Sequence, residues 1–175
     1  MSTTHRHIST KRIALLGVLT GLALVAGYVE VIFPLPVSVP GVKLGLGNVV
    51  VLFALERLSA RDALWLMLAK VSASALLFGN PQVLMFSLAG GALSWAVMSL
   101  ARKSGFFSTV SVSVLGGLSH NAGQLALVAC MLSPAVALLN LPVLAISGVA
   151  AGAAIGLIVR AALAALPFEE PKELR

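Results

Sequence analysis

Carboxylates are the scarcest functional group in this chain of 175 residues. Six acidic side chains are present, a single aspartate, Asp62, and five dispersed glutamates. Glu30 and Glu56 stand apart and the other three glutamates lie in the polar tail, so no aspartate-rich cluster offers the hard oxygen ligands that a catalytic Mg²⁺ requires. The lone cysteine, Cys130, excludes an intramolecular disulfide or a multi-cysteine metal centre. His5 and His7 are far in sequence from His120, which argues against a histidine cluster for a metal. The pattern G-x-x-x-x-G-K-[ST] is absent, so the chain carries no phosphate loop of its own. Catalytic residues, metal and cofactor are accordingly all expected to be none.

Charge as a whole is scarce too. Only 10% of residues are charged, whereas a soluble domain carries about 25%. What fills the chain instead is apolar: 59% hydrophobic, with a mean hydropathy of +1.03. The apolar residues run on continuously, as only an integral membrane protein tolerates. The net charge of +6 does not indicate nucleic acid, because the basic residues stand at the ends of apolar runs rather than in one patch. The first apolar run lacks a small-x-small cleavage site before Pro34 and is expected to be a retained helix rather than a signal peptide.

The pattern predicts an all-α, polytopic membrane bundle of six transmembrane helices. They run from about Ile13 to Phe33, Leu44 to Leu58, Ala63 to Phe78, Val83 to Ala101, Val110 to Leu132 and Leu141 to Leu166. Segments such as "PLPVSVPG", "ERLSARD" and "SPAVALLNLP" supply the breaks. The second and third helices are short for a span needing roughly 20 residues, which suits a tight hairpin lodged partly in protein. With both termini cytoplasmic, all Lys and Arg residues except Lys43 and Lys70 fall on the inside. Residues 1–12 then form a basic cytoplasmic N-terminus, 13–166 the transmembrane domain, and 167–175 a polar C-terminal tail. The expected location is the cell membrane, in multi-pass form.

The two exceptions are candidates for function. Lys70 lies within "DALWLMLAKVSASALLFG", where a charge near the bilayer centre costs about 3 kcal/mol on insertion scales. It either faces a cavity or lets its long stem reach a headgroup layer. Lys43 follows the proline-stiffened, apolar loop "PLPVSVPGVK", which has the character of a lid lying back over the helices. Asn48 stands just inside the next helix. In the fifth span, "SHNAGQ" places His120, Asn121 and Gln124 three and four residues apart, a polar ridge suited either to substrate binding or to interhelical hydrogen bonding.

Small residues recur at four-residue spacing. Gly148, Gly152 and Gly156 form one such seam, Gly17 and Gly21 another, and "SLAGGALS" sets Ser87, Gly91 and Ser94 along one face. Seams of this kind allow close helix packing, within the chain or against another subunit.

Together "PGVKLGLGNVV", the intramembrane lysine before "LLFG", "SLAGGALS" and "SHNAGQL" resemble the Gx transporter family, also labelled heptaprenyl diphosphate synthase component I. The resemblance runs from Ile13 to Leu166. Gly47 is a departure, at a position where alanine is the more familiar residue, and the exchange is expected to change little. The family is similar in layout to the substrate-binding S components of energy-coupling-factor (ECF) transporters. That similarity implies an S-component-like fold, a ligand bound on the outer side beneath the loop after the first helix, and uptake driven by a membrane coupling subunit with two ATPases. It also implies that Ala14, Gly17 and Gly21 of the first helix meet the coupling subunit.

The first expectation is therefore a membrane solute-binding or transport protein. Lys43, Asn48, Lys70, His120, Asn121 and Gln124 would line its site and favour an anionic or carbonyl-rich, cofactor-like solute. The alternative is an accessory membrane subunit of heptaprenyl diphosphate or isoprenoid-quinone synthesis, holding a membrane lipid between helices. With one aspartate and no D-D-x-x-D pattern, the chain is not a self-sufficient prenyl synthase. A third possibility is a structural membrane adaptor whose polar ridge only joins helices.

Overall fold

The computed structural model describes residues 10–32, 45–78 and 81–166. These form six helices and no strand: α1 Thr10–Ile32, α2 Leu46–Arg57, α3 Ala60–Phe78, α4 Pro81–Ser104, α5 Thr109–Met131 and α6 Pro134–Ala165. By length and composition α1, α4 and α6 are capable of crossing a membrane. The fold is an all-helical membrane bundle.

Local chemistry explains the helix ends. Gly45 precedes α2 with φ 72°, and Gly105 ends the α4–α5 turn's tight bend with φ 73°, both in the left-handed region that glycine enters freely. Ser108 and Ser133 cap α5 and α6, their hydroxyls accepting from the backbone N–H of Ser111 at 3.2 Å and of Val136 at 3.3 Å.

One boundary differs from expectation. "SPAVALLNLP" is not a break: α6 begins at Pro134, seven residues before the expected Leu141. Pro134 occupies a position where its missing N–H is no loss, and Pro142 is carried inside the helix. At 32 residues, α6 is about 48 Å long, well beyond the roughly 30 Å hydrocarbon layer.

The shortest helix is the most enclosed. α2 has 12 residues, about 18 Å, yet buries Gly47, Val50, Val51, Leu52, Ala54 and Leu55 against α1, α3 and α6. A helix surrounded by protein need not match the bilayer's thickness, since its neighbours rather than lipid set its environment. The core continues through Leu66 of α3, Val112 of α5 and Val159 of α6.

Polar contacts gather at one end of the bundle. Arg12 of α1 donates to Asp62 at 2.9 and 2.5 Å, and Ser59 donates to the same carboxylate at 2.6 Å. Arg102 of α4 pairs with Glu56 of α2 at 2.6 Å. Arg57 donates to the carbonyl oxygens of Leu163 and Leu166, which have no helical partner at the end of α6. Trp95 donates its indole N–H to the Ala60 carbonyl at 2.7 Å. This basic end thus collects the starts of α1, α3 and α5 with the ends of α2, α4 and α6. Among the described basic residues, Lys70 alone lies well away from it.

Candidate polar site within the bundle

Lys70 is eight residues along α3 from Asp62, about 12 Å from the basic end by helical rise. Its ammonium donates to Asn48 Oδ1 of α2 at 2.5 Å. The side chain reaches Asn48 by crossing Gly47. A Cβ at Gly47 would lie 3.2 Å from both Lys70 Cε and Nζ, and 2.8 Å from the Ala23 carbonyl oxygen of α1. The expectation that alanine would serve equally well at this position is therefore corrected. Here a methyl group meets the Ala23 backbone, so α1 and α2 must shift apart to admit it.

A second polar pair stands on α5. Gln124 Nε2 donates to His120 Nε2 at 3.2 Å, an arrangement that requires the neutral ring with its proton on Nδ1. The imidazole fits against α4 at Gly90, where a Cβ would be 2.9 Å from His120 Cε1 and Nε2. The two pairs approach each other across α4, whose adjacent Gly90 and Gly91 face His120 of α5 and Met67 of α3, the latter one turn before Lys70. Asn48, Lys70, His120 and Gln124 thus bring groups from α2, α3 and α5 towards one region inside the apolar bundle. Such groups recognise carbonyl, carboxylate or phosphate oxygen.

Asn121 does not share this direction. Its Nδ2 donates to the Leu144 carbonyl at 2.6 Å and to Ser147 Oγ at 3.4 Å, both on α6. The expected three-residue ridge is split: His120 and Gln124 form a pair, and Asn121 fastens α5 to α6. Lys43 and the lid-like loop "PLPVSVPGVK" lie outside the described residues. So do His5, His7 and the polar tail.

The glycine seams diverge as well. Gly148, Gly152 and Gly156 face α5, with hypothetical Cβ atoms 3.0 Å from Gly117 O, 2.7 Å from Val114 Cα and 2.7 Å from Val110 Cα. Their role is internal packing. Gly17 and Gly21 have nothing within 4 Å of theirs, and Ala14 is exposed beside them. In "SLAGGALS", Gly91 faces Met67 of α3, and Ser94 faces Gly116 of α5.

Sequence reasoning overlooked Gly90 and undervalued Gly47. The adjacent glycines of "SLAGGALS" were the available signal, since two in succession open two different faces of one helix.

These features define a class: a helical membrane protein with half-buried polar groups gathered among its apolar helices. Within that class, the chain belongs to the heptaprenyl diphosphate synthase component I family, whose model matches residues 19–162. The matched stretch contains every residue of the cluster. No curated protein and no solved structure matches the chain.

Proposed function

We propose that this protein is a solute-binding subunit of the cell membrane, crossing it several times with the basic end in the cytoplasm. The Lys70–Asn48 hydrogen bond is the observation that carries the reading. A membrane helix holds an ammonium far from its basic end only where polar partners await it, and such residues mark ligand or ion pathways. In this reading Lys43, Asn48, Lys70, His120 and Gln124 contact an oxygen-rich solute, while Asn121 supports the wall. The solute enters from the side opposite the basic end, beneath the loop after α1. The chain carries no phosphate loop, and accumulation against a gradient would draw on a partner or on an ion gradient. The open face of Ala14, Gly17 and Gly21 suits an ECF-type coupling subunit, itself driven by ATPases.

The family's description favours a second reading, an accessory component of a heptaprenyl diphosphate synthase. In that case a prenyl lipid occupies the bundle, and the Mg²⁺-dependent chemistry belongs to another subunit. Asp62, the only aspartate, is held by Arg12 and Ser59 at the basic end, distant from the polar cluster.

Native mass spectrometry of gently solubilised wild type beside Lys70→Ala separates these readings. The first predicts a polar small molecule carried by wild type and lost from the variant. A retained prenyl lipid replaces it with the second. An empty protein, equally stable with and without the lysine, eliminates both as accounts of Lys70.

A further inference from the structure

The α4–α5 turn presents apolar rings to the outside of the molecule. Phe106 is 91% exposed and Phe107 47%. The turn is nonetheless well ordered by local bonds. Gly105 N donates to the Arg102 carbonyl at 3.3 Å, and Ser104 Oγ donates to the Ala101 carbonyl at 2.7 Å and accepts from Phe106 N at 3.4 Å. With Gly105 at φ 73° and Ser108 capping α5, the chain reverses in four residues and holds Phe106 at its tip.

Depth follows from helix register. Gly148, Gly152 and Gly156 of α6 meet Gly117, Val114 and Val110 of α5 in turn. Arg160 stands one turn beyond Gly156 on α6, past the level of Val110 at the start of α5 and so at the same end of the bundle as the turn. Lys103, in the last turn of α4, is exposed and has no hydrogen bond or ion pair among the described residues. The apolar part of α4 ends at Ala101 and that of α5 begins at Val110, so the tip lies about one helical turn beyond the apolar layer. A protruding cytoplasmic epitope would reach further. The turn residues are uncharged; of the two cations just before it, Arg102 pairs with Glu56 of α2 and Lys103 does not.

We propose that this turn is a docking surface for anionic phospholipid. Phe106 and Phe107 enter the boundary between acyl chains and headgroups, and Lys103 and Arg160 engage the phosphate groups there. The basic end is thereby anchored at a set depth. Aromatic rings settle at that boundary, and each basic residue near an anionic surface strengthens binding about fivefold.

The test uses the full chain with Cys130→Ser and a spin label at Phe106→Cys. It is reconstituted in vesicles of phosphatidylcholine alone or phosphatidylcholine mixed with phosphatidylglycerol. The expected result is a label accessible to oxygen and shielded from a water-soluble nickel chelate, with stronger shielding in the anionic vesicles. Native mass spectrometry of the protein without the label should show preferential retention of phosphatidylglycerol. Lys103→Gln with Arg160→Gln should reduce that preference about twentyfold while the protein remains monodisperse. A label open to the nickel chelate in both vesicles overturns the proposal and leaves the turn to a protein partner. Equal retention of the two lipids overturns it as well.

Discussion

α6 and α1 carry the same small-residue spacing and use it in opposite ways. Along α6, Gly148, Gly152 and Gly156 let the backbone of α5 approach so closely that a methyl group at Gly152 would meet Val114 Cα at 2.7 Å and Ser113 O at 2.8 Å. Along α1, Gly17 and Gly21 border an apolar groove of about 520 Å³ shared with Leu16, Leu24, Trp65 and Leu66. Small-xxx-small spacing therefore permits a close crossing without saying what crosses. α1 is tied to the bundle elsewhere, by buried Ala23 against Gly47 and by the Arg12–Asp62 pair.

The largest effect should come from filling the closed seam. Gly152→Leu forces α5 and α6 apart and is expected to destabilise by about 3 kcal/mol or more, read as loss of a monodisperse peak and a sharp fall in thermal midpoint. A normal midpoint would show that the seam is looser than its geometry indicates. Gly47→Ala comes next, because its methyl group presses on the Ala23 carbonyl and on Lys70 together. A loss of about 1–3 kcal/mol is expected in thermal unfolding.

Asp62→Asn should remove about 1–3 kcal/mol, between the values for exposed and buried pairs, since the side chains of Arg12 and Asp62 are 28% and 5% exposed. Burial raises the carboxyl's pKa, but hydrogen bonds from Arg12 and Ser59 and the guanidinium charge outweigh it. The net position is below the ordinary 3.8. The pair's stabilisation is accordingly complete above about pH 4 and is lost as pH falls through the lower, folded value. Melting curves across that range should decline for wild type and lack this component in Asp62→Asn. Identical pH profiles would remove Asp62 from the account.

The smallest effect on the isolated protein belongs to Gly17→Leu. Nothing opposes the new side chain, so the thermal midpoint should shift by less than about 1 kcal/mol equivalent. Co-purification with a coupling subunit should be abolished if this face is the partner surface. A large loss of stability in the isolated protein would show that the groove is already closed in solution.

Composition alone determined that the chain is a helical membrane protein, because continuous apolar runs admit little else. The positions of Arg12, Arg57, Arg61 and Arg102 at the ends of those runs likewise anticipated a bundle with one basic end. Lys70 and Asn48 were legible as candidates because polar groups in such runs need partners. Their meeting was not, since it depends on α2 and α3 folding into a hairpin about Leu58 and Ser59 with Gly47 facing inward. The same limit applied to "SHNAGQ". Spacing put three polar residues on neighbouring positions, but the crossing of α5 between α4 and α6 turned His120 towards Gly90 and Asn121 towards Leu144. Pro142 marked a break to local rules, yet α6 continues through it, packed along α5. Periodicity is a property of one helix. Which face meets a neighbour, and which meets lipid or a partner, is decided only when the helices cross.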